Sequence, residues 1–360
     1  MSLILRLALT DYRNHSAARI DALSGLVAIS GDNGAGKTNI LEAVSMLTPG
    51  RGLRGAALSD VARAGGPGGW SVSATLNTPA GEVQLGTGTA AAAPERRIVR
   101  VNGASASAAS LTDWLAVVWL TPAMDRIFAD SAGARRRFFD RLVLALHPGH
   151  GARVSRYEAA MRERTRLLGG DAPADPVWLA GLEADMESHG MALAAARSDV
   201  AALLADAVAA APEGVFARPV LALTGNEADG LAARLARGRA RDAAAGRALE
   251  GPHRADMIVS HAAKAMPAAQ CSTGEQKALL VAIVLAHAAL VAARQGRPPL
   301  LLLDEIAAHL DRRRLEALFA RLSDMGVQAW LTGTEPELFA LAQAGTRLHI
   351  AAGQIHPEGA

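Results

Sequence analysis

Residues Gly31-Asp32-Asn33-Gly34-Ala35-Gly36-Lys37-Thr38 constrain the fold of this 360-residue chain more than any other stretch. They match a Gly-x4-Gly-Lys-Thr loop. The apolar run Leu26 to Ser30 precedes it, and helical spacing follows from Lys37 to about Leu47, stopped by Pro49-Gly50. Strand, glycine-rich loop and helix in that order build a phosphate cradle. Gly31, Gly34 and Gly36 let successive backbone N–H groups turn inward, and the helix adds the positive end of its dipole. Lys37 supplies a compact point charge that a planar guanidinium does not imitate. Thr38 offers a hydroxyl to Mg²⁺. The lysine is informative because the chain holds 37 Lys plus Arg, of which only Lys37, Lys264 and Lys277 are lysines. Asp32, Asn33, Ala35 and Asn39 fill out the expected nucleotide-binding stretch, with ATP and Mg²⁺ as the expected cofactors.

A second string completes such a site. Leu300 to Leu303 is an apolar strand ending in Asp304-Glu305. Ligands of a parallel α/β sheet bind at the carboxyl ends of its strands. Asp304 is placed to hold Mg²⁺, and Glu305 to orient or deprotonate an attacking water. Lys37 and Glu305 are therefore the expected catalytic pair. Ser272-Thr273-Gly274-Glu275-Gln276-Lys277 opens a long apolar helix. Ordinary capping explains it, but Ser272, Gly274 and a helix N-terminus also make an anion site. The chain already has a phosphate loop, so a second site is useful when it faces another subunit's γ-phosphate. That reading implies an ATP-dependent homodimer.

The remaining pattern is α/β. The first segment alternates, with Leu3, Leu5, Leu7 and Leu9 expected on one face. Strands are expected at Trp70 to Leu76, Glu82 to Gly86 and Arg97 to Val101, the last closed by Asn102-Gly103. From about Met124 to Leu249 helical spacing takes over, with breaks at Pro148-Gly149, Gly169 to Pro176 and Pro212 to Pro219. Strand and helix then alternate, which predicts a mainly parallel sheet. The expected division is a discontinuous head, 1–124 and 250–360, and a helical arm, 125–249.

Composition narrows the function class. A net charge of +2 gives no field strong enough to announce a polyanionic partner. The single cysteine, Cys271, excludes an internal disulfide and a cysteine zinc site. The longest apolar run, Ala278 to Ala293, falls short of the roughly 20 residues of a membrane span and predicts a buried helix. The start lacks signal-peptide features. A cytoplasmic protein with no membrane partner is expected.

The phosphate loop, Ser-Thr-Gly-Glu-Gln, Asp304-Glu305 and His309-Leu310-Asp311 together resemble ABC-type ATPases. Lys37 and Ser272 stand 235 positions apart, too far for an ordinary transporter subunit and too close for the long coiled coils of SMC proteins. The chain is similar to the RecF family. Asp11-Tyr12-Arg13-Asn14, Arg51 to Arg54, Val101-Asn102-Gly103, Arg137 to Asp140, Gly251-Pro252-His253-Arg254-Ala255-Asp256 and Thr332-Gly333-Thr334 fit in order. The resemblance implies an ABC-type head with a mixed sheet, an N-terminal β-rich lobe and a helical arm. It implies a weakly hydrolysing ATPase that dimerises on ATP, binds DNA at gaps and single-strand/double-strand junctions, and helps RecO and RecR load RecA in recombinational repair and the SOS response. It also implies that Arg13 touches nucleotide. Two departures stand out. Ala123 replaces a polar residue after Pro122, and no switch histidine follows the last core strand, where Thr332-Gly333-Thr334 stands. The rival is an ABC-type transporter ATPase subunit, which that missing histidine disfavours. Arg135, Arg136 and Arg137, and likewise Arg51 and Arg54, fit either a solvated surface or phosphate contacts.

Overall fold

The computed structural model describes residues 3–21, 25–170, 172, 174–308, 310–335, 339, 345–351 and 353–357. His309 lies outside them. The chain forms two compact units. The first comprises Met1–Asp125, Pro212–Ala217 and Ser272–Ala360, the second Arg126–Ala211 and Arg218–Cys271. Residues 250–271, expected in the head, thus belong with the second unit.

In the first unit, β1 (Leu3–Tyr12), β2 (His15–Asp21), β4 (Trp70–Thr78), β5 (Gly81–Ala90), β6 (Ala93–Val101) and β7 (Ala104–Ser105) form an antiparallel sheet in the order β2-β1-β4-β5-β6-β7. The expected face of β1 is wrong at its start. The register shifts between Ile4 and Arg6, so Ile4 is fully buried and Leu5 only partly, before Leu7 and Leu9 turn inward. A bulge inserts one residue and flips the phase. Ile4 takes a distant partner: its N–H donates to the Gln328 side chain at 2.9 Å, and the Gln328 amide donates back to the Ile4 carbonyl at 2.9 Å.

The second sheet runs β15-β14-β3-β13-β12-β8. It contains β3 (Leu26–Gly31), β8 (Val117–Leu120), β12 (Leu300–Leu303), β13 (Ala329–Thr332), β14 (Thr346–Ala351) and β15 (Gln354–Pro357). All pairs are parallel except β14 with β15. The sheet is therefore mixed, as expected. β3, β8, β12 and β13 are buried along their whole length, the pattern of a sheet covered on both faces. Helix α1 (Lys37–Ser45) follows β3. Helix α6 (Thr273–Gln295) is long and apolar enough to span a membrane, yet Leu279, Leu280, Ile283 and Val284 are at most 1% exposed inside this unit. Helix α7 (Arg312–Asp324) buries Leu315, Leu318, Phe319 and Leu322, a 3.6-residue stripe, and Asp311 caps it by accepting the Arg314 N–H at 2.8 Å.

The second unit holds α2 (Ala132–Leu146), α3 (His150–Leu168), the 35-residue α4 (Pro176–Ala210) and α5 (Leu231–Ala245). It is not purely helical. β9 (Pro219–Thr224), β10 (Asp256–His261) and β11 (Met266–Pro267) form an antiparallel sheet, order β11-β10-β9. The segment Pro212 to Pro219 reads as a helix break; its last proline opens an edge strand, where a missing N–H costs nothing. Arg164 is fully buried among α3, α4 and α5. It donates to Glu183 at 3.0 Å, Asp242 at 2.7 Å and the Leu235 carbonyl at 2.9 Å. Removing one partner of such a network costs about 3–5 kcal/mol.

Candidate functional site

The loop between β3 and α1 is shaped by its glycines. Gly31 has φ +144°, and a Cβ there would lie 2.4 Å from the Ile350 carbonyl oxygen of β14. Gly36, φ +112°, passes so close to Asn14 that a Cβ would meet its side-chain nitrogen at 2.6 Å. Asn14 uses that proximity. Its amide donates to the Ala35 carbonyl at 3.1 Å and accepts from Asn39 at 2.7 Å. Asp32, Asn33 and Gly34 are exposed at the tip, free for a ligand's oxygens.

Lys37 is folded under the loop with its side chain 4% exposed. Its ammonium donates to the carbonyls of Gly31 at 2.7 Å and Asp32 at 3.1 Å, and stands 3.3 Å from Glu305 Oε1. Thr38 donates its hydroxyl to Asp304 Oδ1 at 2.8 Å. The two sequence strings, 266 residues apart, thus meet at one point. Asp304 follows β12, and its N–H donates to Leu120 of β8 at 2.9 Å. Thr332 at the end of β13 donates its hydroxyl to Asp304 Oδ1 at 2.8 Å and accepts the Glu305 N–H at 2.9 Å. Glu305 sits at φ +47°, a left-handed conformation worth about 1–3 kcal/mol of strain in a non-glycine residue.

The Thr38 hydroxyl and Asp304 carboxylate supply two hard oxygens side by side, which suits Mg²⁺. No cluster of three or more His, Cys, Asp or Glu occurs among the described residues. Mg²⁺ commonly completes its octahedron with phosphate oxygens and water, so this pair fits it.

Arg13 does not reach the loop directly. Its guanidinium grips Glu42 of α1 with two bonds, 2.7 and 2.6 Å, and donates to the Asp60 carbonyl at 2.7 Å. Arg54 joins Glu42 at 3.0 Å and Asn39 at 2.7 Å. Hydrogen bonding to Glu42 holds the Arg13 pKa above its ordinary value. Burial, reinforced by Glu42, pushes the Tyr12 phenol well up. Glu42 is itself 0% exposed. The only sequence signal for it is an acid flanked by Ile40, Leu41 and Val44 on an amphipathic helix.

Ser272 is exposed at the start of α6. Its N–H and hydroxyl donate to Glu275 Oε2 at 3.0 Å each, and its hydroxyl accepts the Glu275 N–H at 3.4 Å. The capping box is real and leaves Gly274 without a side chain to block approach. Lys277, one turn on, is buried: its ammonium stands 3.3 Å from Asp125 and donates to the Ala308 carbonyl. Burial lowers its pKa, while Asp125 and Glu305 pull the other way. Ala123 is exposed in the turn Pro122–Met124 and carries no polar atom.

The basic residues behave differently from one another. Arg135 pairs bidentately with Asp256 at 2.7 Å, so it is a structural cation. Arg137 is exposed. Arg97, unremarked in sequence, caps the end of α1: it donates to the carbonyls of Met46, Thr48 (3.0 Å) and Gly50 (2.8 Å). Burial lowers its pKa to about 10.

The family described as RecF/RecN/SMC N terminal domain matches residues 3–355. A DNA replication and repair protein RecF of Mesorhizobium japonicum is 53% identical over 351 residues, 93% of this chain and 92% of its own length. That of Rhizobium etli is 50% identical over 97% of both chains. Among solved structures, the recombination mediator protein RecF-ATPrS of the RecFOR pathway superposes with a TM-score of 0.86 at 18% identity, covering 99% of this chain and 98% of that one. The Smc head domain of Pyrococcus furiosus superposes at 0.57 with 17% identity, covering 99% and 96%. Two relatives near half-identity over nearly full length, on the fold of an SMC-type head, leave one assignment: the chain belongs to the RecF family of DNA replication and repair proteins.

Proposed function

We propose that the chain is an ATP-dependent DNA-binding protein and slow ATPase that acts in the cytoplasm. In this reading its ATP-bound homodimer holds DNA at gaps or single-strand/double-strand junctions. There it works with RecO and RecR to load RecA in recombinational repair and the SOS response. The observation that carries it is the convergence of Lys37, Thr38, Asp304 and Glu305 at one loop. The relatives named for DNA replication and repair, and the solved neighbour described as RecF-ATP in the RecFOR pathway, support it.

The residues divide the work. Loop N–H groups and Lys37 bind the terminal phosphates, and Lys37 leaves its carbonyl partners to do so. Thr38 and Asp304 would hold Mg²⁺, which neutralises phosphate charge when bound. Glu305 takes the proton of the attacking water. Ser272 and Gly274 would meet the γ-phosphate on the partner subunit, so dimerisation reads out ATP. Arg13, linked to Asn39 beside the loop through Glu42 and then Arg54, supports the loop from behind.

Thr332 supports this reading over a transporter subunit. It fastens the acids where a transporter carries a switch histidine, which suits slow, switch-like turnover.

The test is DNA binding to gapped and plain duplexes with and without ATP, using wild type and Lys37→Ala. ATP should strengthen binding to the gapped duplex in wild type only. ATP-independent binding, or an unchanged Lys37→Ala variant, would refute the proposal.

A further inference from the structure

The turn Gly251-Pro252-His253-Arg254 has no part in the site above. It lies in the second unit just before β10 and is built to hold one side chain outward. Gly251 has φ +129°, and a Cβ there would lie 2.4 Å from the Tyr157 hydroxyl oxygen. That hydroxyl stands 2.8 Å from His253 Nδ1, and His253 Nε2 stands 3.0 Å from the Ala248 carbonyl. A carbonyl can only accept, so Nε2 carries the hydrogen and Nδ1 accepts from Tyr157. Burial, helped by Arg136 and Arg254, lowers the His253 pKa, so the ring is neutral near pH 7. The Pro252 carbonyl accepts from Arg197 at 2.6 Å. Arg254 is left as the exposed cation of the turn.

Arg254 lines a cavity of about 680 Å³ with Arg136, Arg162 and Arg247, and Ser131, Thr165 and Met161 are also in its wall. Among the described residues, no acid lines it. Arg162 meets Glu158 at 3.6 Å, both half or more exposed, a contact worth about 0–1 kcal/mol. Arg136 donates to the Ala255 carbonyl at 3.1 Å, a partner without net charge. Burial first, then Arg197, lowers the Arg136 pKa, while Asp140 and Asp256 pull the other way; an anion would offset the repulsion from Arg197. Arg247 and Arg254 form no ion pair among the described residues. Gly133 faces this cluster, and a Cβ there would stand 3.8 Å from Arg136 Nη2 and 3.4 Å from Arg137 Nη1. Four guanidinium groups around one concavity with no acid in its lining match the oxygens of a phosphate group, which guanidinium forks bind bidentately.

We propose that this cavity is a second phosphate-binding site, taking one phosphate group through Arg247 and Arg254 with Arg136 behind them. The phosphate comes from a DNA strand or from a free anion. The proposal stands whether or not the Gly31–Thr38 loop binds ATP.

The test uses the full chain with the first loop saturated by a non-hydrolysable ATP analogue. Wild type is compared with Arg247→Ala/Arg254→Ala, whose side chains are exposed, and with Arg312→Ala/Arg313→Ala, which removes the same charge from α7. One arm titrates inorganic phosphate in a calorimeter. The other follows a labelled duplex by anisotropy across a salt series. The cavity variant should bind phosphate at least about tenfold more weakly, as removal of a charge-assisted hydrogen bond requires. Its salt slope on duplex should shrink by about 0.9, the contribution of the one DNA phosphate no longer neutralised. A change on duplex, with or without one on phosphate, assigns the site to DNA. A change on phosphate alone assigns it to a free anion. No change in either arm, or the same change in the α7 variant, overturns the proposal. A first loop that fails to take the analogue alters all three proteins alike and leaves the comparison intact.

Discussion

Thr332 donates its hydroxyl to Asp304 Oδ1 at 2.8 Å, and the Thr332 hydroxyl oxygen in turn accepts the N–H of Glu305 at 2.9 Å. One fully buried hydroxyl therefore sets both acids at the end of β12. Thr332→Val keeps the shape but leaves the Glu305 N–H without its partner, a cost of about 1–3 kcal/mol. Urea unfolding should show that loss, and ATP turnover should fall while ATP affinity stays near wild type. Thr332→Ser should restore both. A valine variant with full turnover would mean that Thr332 is packing and not positioning.

Glu305→Gln should bind ATP normally and hydrolyse it far more slowly, because the amide cannot accept the water's proton. Asp304 and Thr38 keep their 2.8 Å contact, so the site stays assembled. The variant should then accumulate as an ATP-locked dimer whose off-rate from immobilised gapped DNA falls below wild type in ATP but not in ADP. Unimpaired hydrolysis with equal off-rates would remove Glu305 as the base.

Ser272→Arg should leave nucleotide binding by one subunit nearly intact and block ATP-driven association. The side chain is exposed and caps only its own helix, so the fold should tolerate the change at roughly the 1 kcal/mol of a missing cap. Sedimentation velocity with and without ATP decides. A variant that still dimerises would reduce Ser272 to its capping role.

Low pH should weaken the second unit through His253. Burial lowers its pKa below the ordinary 6.5, so the unfolded chain takes up the proton first. The stabilisation is complete above about pH 6.5 and is lost as pH falls toward the folded pKa. Denaturant midpoints measured from pH 8 to 5 should drop less in His253→Gln than in wild type. His15 in the first unit, also lowered by burial, should keep part of the slope. Identical drops in both proteins would show that His253 takes up its proton equally in the folded and unfolded chain.

The sequence carried the parts of the site that are local strings. Gly31 to Thr38 and Asp304-Glu305 are contiguous, and each sits at the end of an apolar strand. The residues that hold them in place were not legible, because each arrives from elsewhere in the chain: Asn14 across the loop, Thr332 on β13, Asp125 against Lys277. Glu42 was hidden because a buried acid makes sense only once Arg13 and Arg54 are seen around it. In the fold, periodicity gave β1, β3, β4, β5, β6 and β12 of the first unit, but not β2, β8 or β15, nor the bulge between Ile4 and Arg6. Phase alone cannot register an inserted residue. β9 was masked by its opening proline.

The placement of β3 sets an order of events during synthesis. Its two neighbours are β13 and β14, and both are made about 300 residues later. The second unit is complete at Cys271 and has its own core around Tyr157, Met186 and Leu193, so it can consolidate while the ribosome is still working. β3, which leads into the phosphate loop, must wait as an unpaired apolar strand until β13 and β14 have been made. A ribosome-bound chain halted near residue 325 should therefore protect α3 and α4 from protease and leave Leu26 to Gly31 open to cleavage. Such a strand is an aggregation hazard for the whole of that interval, and the yield of folded protein should depend on how fast the final segment is translated.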